Sequence, residues 1–351
     1  GGAVLADARV GAIMSGAAPG RVGAPVAIDV VPLETQRVRA NGARVVRAAP
    51  VEGGGDVLLR APRGVRLPND TGATLRVTGM VSALERFERF HARRGAVAAI
   101  DVAVAEPTGR RRGGVSGALD TARRRAGAAL GAATPEHEAR LARGMVLGLD
   151  DEIPEEVRKR YEDSGLAHLL AVSGTNVMLL SALALGVCAL IGVPFHARLL
   201  VALALIALYV PLTGAGASIQ RAGVMGAAGL VAVLAGRPSD RWYAIGLAAA
   251  VTLALNPLAA ADPGWQLSFA AVAGLLVLGP PIRRRLLAAR VPYPVAEAAA
   301  LTVAATIATA PLLAAHFGRA SLVSLPANLL ATPAVAPVMW LGMLAAALGQ
   351  I

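Results

Sequence analysis

The stretch Gly165-Leu-Ala-His-Leu-Leu-Ala-Val-Ser-Gly-Thr-Asn-Val-Met-Leu-Leu180 decides the fold of this chain. It places His168, Ser173 and Asn176 at the mouth of a long apolar run. A polar group in hydrocarbon must find a hydrogen-bond partner or line a water-filled cavity. The stretch therefore predicts a membrane helix that lines a polar cavity rather than one that only anchors the chain in the bilayer.

Charge is distributed unevenly along the chain. Residues 1–165 carry 25 Lys and Arg with 20 Asp and Glu, whereas residues 166–351 carry 9 Arg and only 3 acidic residues. The whole chain of 351 residues has a net charge of +11 and a mean hydropathy of +0.58. This contrast predicts a polar domain followed by a membrane domain. Cys188 is the only cysteine, which excludes internal disulfides and thiolate metal sites.

Short β-branched runs broken by Gly, Pro and Asn fill the first part of the chain. They predict about five strands and a small all-β, OB-like barrel over residues 1–107. Residues 108–164 are predicted to contain a linker, at 108–115, and an amphipathic helix at 116–145. The apolar face of that helix suits either a membrane surface or an ordinary solvated helix.

Seven apolar runs follow, and most have close to the ~20 residues that cross a bilayer. They lie at 170–193, 197–213, 217–235, 242–258, 264–281, 295–317 and 325–349. Three prolines in the last run predict a short or re-entrant piece followed by a true span. Residues 165–351 are thus predicted to form a polytopic α-helical membrane domain. The start on Gly-Gly and the end inside an apolar run lead us to expect a piece of a longer protein, incomplete at the C-terminus.

The arginines predict the orientation of these spans. The cluster Arg283-Arg-Arg285, with Arg290, predicts that the loop 282–294 is cytoplasmic, since Lys and Arg concentrate on that side. Counting back from this loop places the β-domain on the outer face of the membrane.

Several polar residues inside the apolar runs are candidates for lining a path. Ser218 and Arg221 share one helix face, although Arg221 could instead snorkel to the interface. Gln266 and Ser268 open the fifth run, and Asn328 either lines a cavity or caps a broken helix.

A further polar stripe descends the sixth run. It consists of Thr302, Thr306, Thr309 and His316. The alternative is that the threonines only bond the carbonyl groups four residues earlier on their own helix. Metal-binding spacings such as HExxH and a phosphate-binding Gly-Lys-Ser/Thr do not occur in the sequence. We therefore predict no enzyme activity, no metal and no cofactor.

Four motifs resemble those of the ComEC family of bacterial DNA-uptake channel proteins, and they occur in the same order. They are residues 164–177, 218–222, 262–269 and 316–328. The resemblance implies a multi-pass protein of the bacterial cell membrane with an OB-like outer domain. It also implies uptake of single-stranded DNA during natural transformation. Other competence proteins are the expected partners, and the resemblance leaves open whether the chain forms homo-oligomers.

Two departures from the family pattern matter. Many members carry His where this chain has Asn176, and an amide keeps the hydrogen bonding but does not titrate. Full-length relatives also carry earlier spans and often a C-terminal metallo-β-lactamase-like domain, so no nuclease activity is expected of this chain. The alternative function is a transporter of another solute, or a membrane scaffold with an outer binding domain.

Together these patterns predict that residues 170–180, 218–225, 264–270, 302–316 and 326–333 converge on one polar cavity. Polar groups left unpaired in lipid cost free energy, and one cavity common to the five segments would satisfy all of them. The side chains predicted to line the DNA path are His168, Ser173, Asn176, Ser218, Arg221, Gln266, Ser268, Thr306, Thr309, Arg319 and Asn328.

Overall fold

The computed structural model describes residues 22–351 except 40–41, 69, 86–87, 89–90, 93–94, 133, 151–152, 171, 237–239 and 318–323. Its contacts divide the chain into two units. The first is Gly1–Arg124 with Ala254–Leu258, and the second is Arg125–Leu253 with Ala259–Ile351.

The described part of the first unit contains six strands. They are β1 (Pro25–Pro32), β2 (Arg37–Val38), β3 (Arg44–Pro50), β4 (Asp56–Ala61), β5 (Ala73–Ser82) and β6 (Ala96–Arg111). β1 pairs with both β5 and β3, so the order β1-β5-β6-β4-β3 closes on itself, and short β2 adds to β3. β4 and β6 run parallel, and the other pairs are antiparallel. This confirms the predicted OB-like barrel.

The last strand is longer than the sequence pattern indicated. β6 extends to Arg111, so residues 108–111, predicted as linker, belong to the barrel. Its pairing with β5 shifts register beside Gly79, where an added Cβ would lie 2.3 Å from the Asp101 carbonyl oxygen. Such a bulge bends a strand, and only glycine allows so close an approach of two backbones. The inner face is apolar, with Val30, Leu75 and Ile100 fully buried.

A buried ion pair joins β4 to the segment between β5 and β6. The Glu88 side chain is only 1% exposed and accepts hydrogen bonds from Arg60 and from Arg39, the latter at 2.6 Å. The Glu85 backbone N–H also donates to it at 3.0 Å. Arg60 further donates to Asp101 on β6 at 3.3 Å. The network therefore ties three parts of the barrel together.

Helices make up the rest of the described chain. They are α1 (Gly114–Ala132), α2 (Glu136–Leu147), α3 (Glu155–Asp163), α4 (Ala167–Leu170), α5 (Gly174–Leu190), α6 (Phe195–Leu212), α7 (Ala217–Leu234), α8 (Arg241–Leu255), a 3₁₀ turn (Pro257–Ala261), α9 (Pro263–Val277), α10 (Gly279–Ala288), α11 (Tyr293–Phe317) and α12 (Ser324–Leu348). The boundary between the two units falls inside α1. The predicted single helix at 116–145 is wrong, because two helices, α1 and α2, occupy this region.

All seven predicted spans are helical. Within the described residues, α6 and α11 are long and apolar enough to cross a bilayer, and α9 with α10 forms a third candidate bent by 45°. The other apolar helices are Gly174–Leu190, Ser218–Leu234, Arg241–Leu255 and Pro333–Leu348, each of 10–17 residues. These helices and their many exposed Leu, Ile and Val side chains indicate a membrane protein.

Three local predictions need correction. The run 264–281 is two helices with a bend rather than one straight span. The last run is a continuous helix, α12, although Pro333 and Pro337 lie inside it. Neighbouring helices compensate for the hydrogen bonds that proline removes in a membrane helix. The arginine cluster predicted for a loop at 282–294 lies on α10, and Arg283 pairs with Glu297 of α11 at 2.9 Å.

The core of the second unit forms where α1, α2, α5, α6, α7 and α12 meet. Ala126 and Leu130 of α1 are buried there against Val146, Leu147 and Met339. The apolar face that suggested a membrane-surface helix is thus covered by protein at these two residues. Small residues allow the helices to approach closely: an added Cβ at Gly226 of α7 would lie 3.3 Å from Val177 of α5.

Candidate functional site

The second and third motifs meet at the junction of α7 and α9. Arg221, which is 4% exposed, lies on α7 one turn after Ser218, and its Nη2 is 3.5 Å from the Ser218 hydroxyl. Ser218 and Ser268 of α9 place their hydroxyl oxygens 3.3 Å apart. The guanidinium carbon lies 5.3 Å from the ring centre of Phe269. We name Ser218, Arg221, Ser268 and Phe269 the Arg221 site.

The start of α9 is held in place by a cap and an aromatic pair. Asp262 accepts a hydrogen bond from the Trp265 backbone N–H at 3.0 Å, and Pro263 occupies the first turn. The Trp265 indole donates to Thr252 of α8 at 3.0 Å and lies 4.2 Å from the Phe269 ring. This local order positions the phenyl ring beneath Arg221.

The third and fourth motifs meet at the C-terminal end of α11. Gln266 donates to the Ala260 carbonyl at 2.9 Å, and its Oε1 lies 2.9 Å from His316 Nε2. Close packing of α9 on α11 supports this contact, since an added Cβ at Gly274 would lie 2.3 Å from the Ala308 Cβ. Gln266 thus joins two helices, while His316 is exposed.

The first motif contributes a different kind of contact. Asn176 is buried on α5, and its amide nitrogen donates to the Met145 carbonyl at 2.7 Å and lies 3.3 Å from the Tyr209 hydroxyl. Tyr209 donates to the Val146 carbonyl at 2.6 Å. Both carbonyls belong to the last turn of α2, where a helix lacks internal donors. Asn176 and Tyr209 therefore complete the end of α2.

The remaining predicted residues occupy varied positions. Ser173 is the N-cap residue of α5 and lies 3.4 Å from the Asn176 Oδ1, and His168 is exposed on α4. Thr309 bonds the Ala305 carbonyl at 2.8 Å, and Thr302 likewise bonds the carbonyl four residues earlier. For these two threonines the structure therefore contains the alternative arrangement, in which the hydroxyl bonds its own helix. Thr306 is exposed, Asn328 is half-buried in α12, and Arg319 lies outside the described residues.

The motifs are thus brought together in part. Ser218 with Ser268, Gln266 with His316, and Asn176 with Tyr209 form three groups of contacts. The first motif approaches the second, because an added Cβ at Gly174 would lie 3.4 Å from the Ala222 Cβ. A single cavity shared by all five segments stays a prediction.

Two residues of these groups, Tyr209 and Phe269, were not predicted from the sequence. Tyr209 stands inside an apolar run, and Phe269 reads as an ordinary core residue. A tyrosine in an apolar run does carry one usable signal, because its hydroxyl normally finds a partner when buried. Phe269 becomes recognisable only through its contact with Arg221.

We expect Asn176→Leu to destabilise the junction of α2 and α5 by about 1–3 kcal/mol, because it leaves the Met145 carbonyl without this donor. Thermal unfolding of the purified protein would show the loss. Ser181→Ala is the matched control on the same helix, since the Ser181 hydroxyl bonds the Val177 carbonyl of its own helix. Equal stability of the two variants would contradict a structural role for Asn176.

In the part of the chain that the structure describes, His, Cys, Asp and Glu side chains form no group of three that could hold a metal ion. Residues 145–351 match the model of the family described as Competence protein. Over 199 residues the chain is 30% identical to ComE operon protein 3 of Bacillus subtilis (strain 168). This match covers 57% of the chain and 25% of that protein, so the chain spans about a quarter of the relative's length. No solved structure matches the chain.

Proposed function

Because this chain belongs to the competence protein family, we propose that its helical unit forms part of a conduit for single-stranded DNA across the bacterial cytoplasmic membrane. The observation that carries the proposal is the Arg221 site, where two of the family-like motifs place a buried cation and two hydroxyls together. A buried charge among apolar helices marks a functional path more often than a structural one.

The chemistry of the cargo agrees with such a lining. A DNA strand carries one negative charge per nucleotide, so a conduit needs sparse cationic and hydrogen-bonding contacts that hold each phosphate weakly. Three acidic residues stand among residues 166–351, against nine arginines. Residues 166–351 therefore repel a polyanion little, and we assign no catalytic step to this chain.

The barrel has a separate place in the proposal. We place the OB-like domain, residues 1–107 in the sequence-based division, on the outer face, with 108–164 leading into a multi-pass domain at 165–351. OB folds that capture single strands rely on stacking aromatic residues. The only Phe, Tyr or Trp residues before residue 111 in the sequence are Phe87 and Phe90, and both lie outside the described residues. We therefore propose that the barrel guides the strand or contacts other competence proteins or a second copy of the chain.

An in-frame deletion of the gene tests the conduit. Labelled duplex DNA is offered to competent cells, and surface-bound and internalised label are measured separately. The proposal expects normal surface binding with loss of internalised label. Normal internalisation in the deletion strain would overturn it and favour transport of another solute.

Membrane orientation gives a separate prediction. In a Cys188→Ser background, Asp70→Cys in the barrel should react with a membrane-impermeant maleimide in intact cells. Ala288→Cys at the end of α10 should react only after the cells are permeabilised, because its arginine-rich surroundings favour the cytoplasm. The reverse labelling pattern would overturn the proposed orientation.

A further inference from the structure

The guanidinium of Arg221 has more hydrogen-bond donors than partners. Its Nε and Nη1 are buried, and among the described residues neither has an acceptor. The contact from Nη2 to Ser218, at 3.5 Å, is at the outer limit for a hydrogen bond. Leaving such a charged group unpaired in the interior is strongly unfavourable. The site as it stands requires an acceptor from elsewhere.

Residues 166–351 have no spare carboxylate to serve as that acceptor. Residues 166–351 contain only Asp240, Asp262 and Glu297. Asp240 accepts from the Trp242 backbone at 2.8 Å, and Asp262 accepts from the Trp265 backbone at 3.0 Å. Glu297 pairs with Arg283 at 2.9 Å. Each of the three therefore has another role, and no carboxylate among the described residues accepts a hydrogen bond from the buried Nε and Nη1 of Arg221.

The position of Arg221 near the N-terminus of α7 makes anion binding at this site more favourable. The helix begins at Ala217, and its N-cap residue, Gly216, has no side chain to cap the first amides. The N-terminus of a helix attracts anions and disfavours cations. The charge of an arginine near this end adds to the partial positive charge of the helix N-terminus. By contrast, α9 nearby has its own N-terminus capped by Asp262.

The shape of the site restricts where an anion can bind. Phe269 covers one face of the guanidinium, so an anion must bind at the edge, in the plane of the N–H groups. The hydroxyls of Ser218 and Ser268 lie beside Arg221 and supply further donors. Planar charged donors combined with hydroxyls suit the tetrahedral oxygens of a phosphate group.

We propose that the Arg221 site binds a phosphate group, and that its occupant during uptake is a phosphodiester of the translocating strand. This inference rests on the proposed conduit. It assigns one discrete phosphate-binding position to the path, which we call the phosphate station. There a phosphate exchanges the water around it for Arg221 and the hydroxyls of Ser218 and Ser268. Bound weakly and one at a time, successive phosphates can pass the station.

Binding of a fluorescein-labelled oligothymidylate to the full-length protein in phosphatidylcholine nanodiscs tests the station. Fluorescence anisotropy is measured over a series of NaCl concentrations. For Arg221→Gln we expect about tenfold weaker binding at low salt. The slope of log affinity against log salt should fall by about 0.7, the value for one phosphate of a single strand. Arg221→Lys should keep the slope and lose affinity, because it retains charge without the planar donors.

Two further measurements identify the atoms involved. With an oligothymidylate whose phosphates are replaced by neutral methylphosphonates, the parent and Arg221→Gln should bind equally. Arg198→Gln is the matched control, since Arg198 bonds the Val193 carbonyl at 2.5 Å at the start of α6. It should leave the slope of the parent unchanged. An unchanged slope in Arg221→Gln would overturn the phosphate station.

A lipid headgroup is the other source of phosphate at a membrane protein. In nanodiscs with phosphatidylglycerol, strand binding that becomes insensitive to Arg221→Gln would assign the site to lipid and overturn the strand as occupant. The uptake assay separates the two proposals. Lost uptake in the deletion strain with an unchanged slope removes only the station, whereas normal uptake in that strain removes the conduit.

Discussion

Arg221→Gln should lower the internalisation of transforming DNA by about 10- to 100-fold, with the protein present at the parental level in the membrane. The loss corresponds to about 1.5–3 kcal/mol, the usual contribution of hydrogen bonds to a charged group. Arg221 is 4% exposed and has two nitrogens without an acceptor among the described residues. Its removal relieves an unpaired buried charge, so the fold itself should not suffer. Transformation frequency and quantitative immunoblotting of membranes provide the two measurements.

A matched pair of variants makes this result specific. Arg198→Gln removes an arginine of the same unit that bonds a backbone carbonyl, and it should leave uptake near the parental value. Ser268→Ala removes one hydroxyl of the Arg221 site and should lower uptake less than Arg221→Gln, because a neutral donor contributes less than a charged one. Parental uptake by Arg221→Gln at equal protein level would reduce Arg221 to a structural or snorkelling residue.

Glu88→Ala should destabilise the barrel by about 3–5 kcal/mol, because it removes the buried carboxylate that accepts hydrogen bonds from both Arg60 and Arg39. Hydrogen exchange in peptides from β4 and β6 of the whole protein measures local opening without isolating the domain. Asp70→Ala is the control, because its partnership with Arg111 is exposed and contributes about 0–1 kcal/mol. Equal exchange in the two variants would contradict a stabilising role for the buried network.

The same network predicts an acid response. Burial by itself would raise the pKa of Glu88, but hydrogen bonds from Arg60, the Glu85 backbone and Arg39 lower it to about 2, from 4.5. A carboxyl whose pKa is lower in the folded state stabilises the fold above pH 4.5 and loses that contribution as the pH falls towards 2. Glu88→Gln should remove this part of the pH dependence while leaving the rest of the profile intact.

The residues that form membrane helices and barrel strands could be identified from the sequence. Transfer of a side chain from water to lipid, and the alternation of a strand with one buried face, are local properties that a short window records. For this reason all seven apolar runs are helical, and the described strands from Pro25 onward form the barrel. The pairing of Ser218 with Arg221 also followed from the helical repeat, because residues three apart share a face.

Boundaries and distant contacts depended on the tertiary structure. The continuity of α12 through Pro333 and Pro337 is set by neighbouring helices, which a window of sequence does not contain. The bend after α9 and the extension of β6 beyond residue 107 are likewise properties of packing and strand pairing.

The contacts that define the candidate site came from the fold. Ser218 and Ser268 are fifty residues apart along the chain, and their meeting depends on how α7 packs against α9. Asn176 looked like a path-lining amide, but α2 ends beside it, so its amide nitrogen donates to the Met145 carbonyl in the last turn of that helix. Sequence determines which polar groups enter the apolar region, because composition alone sets the cost of burying them. Tertiary structure determines which partner meets that cost, since hydrogen bonds act only over about 3 Å.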